Sequence, residues 1–205
     1  MQQVYLKNYW KDSESRSGSG SNQKNTEQLV KELPYVINQL KVKSILDIPC
    51  GDFAWMPRLL DNIANDVVYH GADIVQEIVN HNQKYASDKV SFSCLDITSD
   101  PLPRADLAIV RDCLNHLPLE NVFQALRNLK TSGIKYVALT NFNWRSEVKN
   151  YDINNDDRVK WRKLNFTLPP FSFDNPTDTI VENSVELLGR DKTIAIWKVS
   201  SLKSL

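Results

Sequence analysis

Ser44-Ile45-Leu46-Asp47-Ile48-Pro49-Cys50-Gly51-Asp52-Phe53 decides the fold. A buried apolar strand ends on an acid, the chain turns tightly at one glycine, and Trp55, Leu59, Leu60 and Ile63 follow at helical spacing. A second apolar run, Val67-Val68-Tyr69-His70-Gly71-Ala72-Asp73-Ile74, also leads to an acid, and a helix with Ile74, Ile78 and Val79 comes after it. A third, Val90-Ser91-Phe92-Ser93-Cys94-Leu95-Asp96-Ile97, repeats the pattern. Fourth and fifth strands are expected at Ala105-Asp106-Leu107-Ala108-Ile109-Val110 and Ile134-Lys135-Tyr136-Val137-Ala138-Leu139-Thr140. Between them Pro118 starts a helix, Val122, Phe123, Leu126 and Leu129 mark its face, and Gly133 stops it. Two extended runs, about 178–187 and 192–199, are joined by Gly189-Arg190-Asp191 and read as a β-hairpin. The expected class is therefore α/β: a Rossmann-like, mostly parallel seven-stranded sheet with helices on both faces and a C-terminal antiparallel hairpin. Ligands of such sheets sit outside the carboxyl ends of the strands, where the three acids lie, and a nucleoside-containing cofactor is expected there.

Residues 11–25 are polar and rich in serine and glycine, the composition of a flexible linker. Tyr5, Tyr9 and Trp10 precede them and are surplus to a disordered tail, so 1–25 are expected to form an arm over the ligand-binding edge. Thr26 is the expected N-cap of a helix with Leu29, Val30 and Leu33 on one face. Val36, Ile37 and Leu40 continue that face beyond Pro34, which is expected to kink the helix or begin a new one. Residues 141–177 hold several prolines, many asparagines and no sustained periodicity. Segments of that length are usually functional, and an acceptor-site insertion within one domain, 1–205, is the reading.

At 205 residues and 41% hydrophobic, the chain can bury one substantial core. Lys+Arg and Asp+Glu number 25 each, and a net charge of zero argues against duplex binding, which needs a basic excess. No nucleic-acid partner is expected. No apolar run reaches bilayer-spanning length and the N-terminus lacks a signal-peptide core, so neither membrane insertion nor export is expected. Cys50, Cys94 and Cys113 are odd in number and widely spaced, which fits neither a disulfide framework nor a zinc site. Reduced thiols in the cytoplasm are the plain reading. The oligomeric state is not legible.

From about residue 26 onward the motif order and terminal hairpin resemble a class I S-adenosylmethionine-dependent methyltransferase. The Ser-Gly-Ser-Gly-Ser arm, the run from Asp47 to Met56 and Arg111-Asp112-Cys113-Leu114-Asn115-His116-Leu117 are most similar to small bacterial enzymes of that class. Some of those accompany capsule or surface-polysaccharide genes. The resemblance implies S-adenosyl-L-methionine as cofactor. It implies that Asp47 and the turn with Pro49, Gly51 and Asp52 hold the methionine moiety, with Gly51 letting the backbone come close. Asp73 would accept hydrogen bonds from both ribose hydroxyls. Asp96 would accept from the adenine amino group and the Ile97 amide would meet a ring nitrogen, with Ile74 and Leu114 against the adenine faces. The family's Asp-x-Gly-x-Gly-x-Gly is here Asp47-x-Pro49-x-Gly51-x-Phe53, so Pro49 and Phe53 depart from it. Arg111, and Arg16 and Ser19 on the arm, are further cofactor candidates, Arg16 for the methionine carboxylate.

Methyl transfer to a hydroxyl is an in-line displacement that profits from alignment and from a base. Of three histidines His116 is the best-placed base, beside Asp112; the competing role is a cap on the Pro118 helix. Trp10, Asn141, Asn143, Trp144, Arg145 and Arg158 are candidates for the acceptor pocket, with Asn150-Tyr151-Asp152-Ile153 and Pro169-Pro170-Phe171 as its lid. Such residues suit a sugar or sugar-phosphate-like acceptor and equally suit a solvated loop. No third ligand accompanies Asp112 and His116, so no metal is expected. A nicotinamide-dependent dehydrogenase would need Gly-x-Gly-x-x-Gly at the first turn, where only Gly51 stands. A binding module with this fold and no catalysis is the other alternative. The Asn/Asp-Pro-Pro-Tyr signature of many amino-group methyltransferases is absent after the fourth strand, which favours O-methylation with N-methylation as runner-up.

Overall fold

The computed structural model describes residues 2–143, 149–153, 161–182 and 192–202. The stretch at Ser44 forms β1 (Ser44–Asp47), and the later apolar runs form β2 (Val68–Asp73), β3 (Val90–Cys94), β4 (Leu107–Val110), β5 (Tyr136–Phe142), β6 (Asp178–Val181) and β7 (Lys192–Lys198). They make one seven-stranded sheet in the order β3-β2-β1-β4-β5-β7-β6. The strands through β5 are parallel, whereas β7 runs antiparallel to β5 and β6 antiparallel to β7. The order reverses between β1 and β4, and the crevice at such a reversal is where an open α/β sheet receives ligands. The turn at residues 189–191 expected to join the hairpin lies outside the described residues.

Burial on both faces follows the two-residue period of a strand. Leu107 and Ile109 on β4, Ala138 on β5 and Ile194 and Ile196 on β7 pack on one side. Ala108 and Val110, Val137 and Leu139, and Ala195 and Trp197 pack on the other. The first side is covered by α2 (Gln23–Gln39) through Leu29, Leu33, Val36 and Ile37, and by α3 (Met56–Leu60). The second is covered by α5 (Leu119–Thr131) through Val122, Ala125, Leu126 and Leu129. A short α1 (Gln2–Leu6) precedes these, and α4 (Gln76–Asn82) follows β2.

Three local expectations are corrected. The N-cap of α2 is Asn22, whose side chain accepts from the Asn25 amide at 3.0 Å, and the Thr26 hydroxyl donates back to the Asn22 carbonyl at 2.8 Å. Capping needs an acceptor placed to reach the first free amides, and Asn22 meets that need earlier in the chain. Pro34 does not begin a new helix: one helix runs from Gln23 to Gln39 with Pro34 inside it, so of the two expected outcomes the restart is excluded. The lost backbone bond is outweighed by the burial of Leu33, Val36 and Ile37 around it. The described part of 141–177 is only partly loop: Asn141 and Phe142 belong to β5, and Phe166 and Phe173 meet Trp197 edge-on in the core, with Phe171 packed against both phenylalanines.

Candidate active site

A cavity of about 430 Å³ opens at the carboxyl ends of β1, β2 and β4. Its floor is Asp47, Ile48, Pro49, Cys50 and Gly51; its flanks are Asp73 and Ile74, then Leu95, Asp96 and Ile97, then Arg111, Asp112, Cys113 and His116. The N-terminal arm contributes Tyr5, Trp10, Arg16, Ser17 and Ser21. Three strand-end acids and the arm thus meet in one place, as the sequence predicts.

The arm is held by Asp52. Its carboxylate accepts from the Ser15 hydroxyl at 2.9 Å, the Arg16 amide at 2.7 Å and the Ser17 hydroxyl at 3.2 Å. The Ser17 hydroxyl also accepts from the Asp52 amide at 2.9 Å. Asp52 therefore anchors the roof and does not line the cavity, a correction to its expected cofactor contact. Ser19 is likewise outside the lining, its carbonyl accepting from the Asn25 side chain, while Ser17 and Ser21 line the cavity in its stead. Gly51 has φ +54° and packs so closely under the arm that a Cβ there would stand 2.5 Å from the Ser17 hydroxyl. Gly51→Ala is expected to push the arm off, raising amide exchange of residues 15–21 by at least about tenfold while the sheet stays protected. Unchanged exchange would refute the packing account.

Phe53 adopts φ +61°, a left-handed conformation at the place where the related motif has glycine. The cost, of order 1–2 kcal/mol, is offset by burying its ring against Tyr69, Tyr85 and Phe92. The Ile48–Pro49 peptide is cis, and Pro49 lines the cavity.

Asp73 is buried and shapes the turn: it accepts from the Gly51 amide at 3.1 Å and the Val75 amide at 2.9 Å. Burial raises its carboxyl above the ordinary value, and the backbone donors oppose the rise. Asp47 accepts from the Tyr69 hydroxyl at 2.8 Å. Burial pushes its carboxyl up to about 7, against the pull of Tyr69 and Arg111. Asp96 takes the Thr98 amide and hydroxyl on one oxygen, at 2.8 and 2.6 Å. Ile74 is half exposed at the cavity wall, an unburied apolar face next to Asp73. Leu114, expected opposite it, is buried in the core, and Leu95 and Cys113 line the cavity instead.

Arg111 stands at the centre of a buried charge cluster. Its Nε and Nη2 donate to the two Glu182 oxygens at 2.9 and 2.7 Å, and Nη2 also donates to the Gly20 carbonyl of the arm at 2.7 Å. Its Nη1 lies 3.3 Å from Asp112, and Lys192 Nζ lies 2.6 Å from Asp112 and 3.1 Å from Glu182. Burial works against the Arg111 charge, but Glu182 and Asp112 outweigh it and keep the guanidinium protonated. Burial would also raise Asp112, yet Lys192 and Arg111 hold it well below the usual carboxylate range. Glu182 and Lys192 carry no signal in the sequence beyond single charges beside apolar runs.

His116 lines the cavity, with its ring centroid 6.3 Å from that of Trp10. Asn141 is fully buried away from it: its side chain donates to Asn143 at 2.6 Å and accepts from the Phe166 amide at 2.8 Å, tying β5 to the aromatic cluster. Asn141 thus satisfies a donor and an acceptor within the fold, while Asn143 is exposed and, like Asn141, does not line the cavity. Trp144, Arg145 and Arg158 lie outside the described residues.

No family model and no curated protein sequence matches the chain. Solved structures do. The methyltransferase domain of the bacterial protein CtHen1-CN is 10% identical over 85% of this chain and 99% of its own, with a TM-score of 0.57. That of bacterial CtHen1-C is 15% identical over 58% of this chain and 66% of its own, with a TM-score of 0.51. Magnesium protoporphyrin IX methyltransferase from Synechocystis PCC 6803, with bound S-adenosylhomocysteine, is 17% identical over 68% of this chain and 65% of its own, at 0.48. Strand order, terminal hairpin and the likeness to the two CtHen1 domains agree: the chain has the Rossmann-like fold of those methyltransferase domains.

Proposed function

We propose that the protein transfers a methyl group from S-adenosyl-L-methionine to a small polar acceptor, a hydroxyl of a sugar or sugar-phosphate-like molecule. The observation that carries the reading is the cavity at the strand-order reversal, in which Asp47, Asp73 and Asp96 meet under a docked arm. The residues present suit the cofactor: an acid for each polar end, apolar Ile74, Leu95 and Ile97 between, and Gly51 leaving backbone room. When bound, the cofactor supplies an electrophilic methyl on a positively charged sulfur. Asp73 would accept from the ribose hydroxyls, Asp96 from the adenine amino group, and Asp47 would face the cationic amine, all three lining the cavity. The arm excludes water, with Arg16 offered to the carboxylate. His116 would take the proton from the acceptor hydroxyl, and Asp112, which Lys192 and Arg111 hold ionised, would orient the base. His116→Ala is expected to lower turnover by about 10²–10⁴-fold with little change in S-adenosylhomocysteine affinity, read by methyl transfer to a panel of sugars and sugar phosphates. Unchanged turnover would remove the base from the mechanism.

Asp47 makes the reading pH-sensitive. Its folded carboxyl titrates near 7, against an ordinary 3.8, so the apo protein holds a proton there that the unfolded chain loses. Stability from this group is present at low pH and is lost as pH rises toward 7. A cationic amine beside Asp47 favours the ionised form, so binding releases that proton. S-adenosylhomocysteine affinity is expected to rise by several-fold between about pH 6 and 8, and Asp47→Asn to flatten the dependence. Titrations in buffers of different ionisation enthalpy measure the proton released.

A further inference from the structure

Arg162 has no assigned role, yet it is among the most deeply buried large side chains, at 1% exposure. Its amide donates to the Asn115 carbonyl at 3.0 Å, and Nη1 reaches the same oxygen at 3.5 Å. Among the described residues, Nε and Nη2 have no hydrogen-bond partner. Asn115 Oδ1, also buried, has none either. Burial lowers the Arg162 pKa, and Asp152 and Tyr151 are too weak a counter-field to reverse that. Asp152 is already engaged, accepting from the Leu119 and Ile153 amides at 2.8 Å. A buried guanidinium whose Nε and Nη2 are unpaired carries the fork that receives a carboxylate or phosphate through two parallel bonds. An adjoining unpaired acceptor asks for a hydroxyl on the same ligand. Asn115 immediately precedes His116, which lines the cavity.

We propose that Arg162, with Asn115, forms an oxyanion subsite that anchors a carboxylate or phosphate of the methyl acceptor beside His116. This rests on the methyl-transfer reading above and narrows its acceptor to an anionic molecule carrying a hydroxyl. Arg162 is 1% exposed, so an acceptor reaches it only when the chain around it opens. Anchoring the anion at Arg162 would hold the reacting hydroxyl near His116, so the charge fixes alignment, not the chemistry itself.

The test uses the whole chain with ¹⁵N-labelled arginine. Inorganic phosphate and, in a second arm, acetate are titrated at constant ionic strength, and the Arg162 Nε–H resonance is followed. Arg162→Lys assigns the resonance and is expected to weaken oxyanion binding at least tenfold. A saturable shift of the wild-type resonance by either anion supports the subsite, and the tighter arm names the group. Absence of a shift with both anions overturns it, whether or not the variant folds. S-adenosylhomocysteine is titrated into the same samples: its failure to bind would sink the methyl-transfer reading alone, whereas its binding without any anion response would sink only the subsite.

Discussion

Asp73→Ala is expected to weaken S-adenosylhomocysteine binding by about a hundredfold or more. Two hydrogen bonds from a ligand diol to a buried carboxylate are worth on the order of 3 kcal/mol together, and alanine supplies neither. The same carboxylate also receives the Gly51 and Val75 amides, so the substitution leaves one buried and one half-buried donor without its partner and loosens the turn that carries Gly51. Stability should therefore fall by about 1–3 kcal/mol as well. Asp73→Asn separates the two effects. The amide keeps one acceptor for the turn but sets an NH2 against the other backbone amide and loses the charge, so stability should be partly restored while affinity stays reduced by roughly tenfold or more. Calorimetry and thermal melts on the three proteins read both quantities. Equal affinity in all three would mean that the acid is only a strand-end cap.

Arg111→Met is expected to produce the largest loss of stability, about 3–5 kcal/mol, seen as a fall in Tm on the order of 10 °C. Arg111, Lys192, Asp112 and Glu182 balance as two positive and two negative charges, with side-chain exposures of 4, 7, 30 and 1%. Removing the guanidinium leaves Glu182 buried with Lys192 as its one remaining partner in that cluster, shared with Asp112. The Gly20 carbonyl loses its tether too, so the arm should loosen and cofactor affinity should drop with stability. Glu182→Leu combined with Arg111→Met leaves the neutral Lys192–Asp112 pair and should recover much of the stability without recovering the arm. That split is the informative part: a double variant as unstable as the single one would show that the pair does not act as a charge-balanced unit.

The sheet was legible because its strands end in the same way. Apolar runs ending on Asp47, Asp73 and near Asp96 predict both the parallel order and the edge at which ligands collect, and the structure brings those acids together. The helix boundaries were less legible, since Asn22 and Thr26 are both good caps in isolation and only the geometry of the arm chooses between them. Asp52 and Asn141 mislead for a common reason. A polar residue beside a ligand site looks the same in sequence whether it faces the ligand or satisfies the backbone behind it, and here Asp52 serves the arm and Asn141 the Phe166 amide. Glu182, Lys192 and Arg162 are invisible in sequence because their roles depend on partners far along the chain, at Arg111, Asp112 and Asn115.

Calorimetric titration of the wild-type protein with S-adenosylhomocysteine, beside NAD as a control, tests the central claim most directly. Saturable one-to-one binding in the micromolar range, with no heat from NAD, is the predicted result. A folded protein that binds NAD instead, or that gives no heat with S-adenosylhomocysteine, would contradict the assignment of this cavity to a methyl donor.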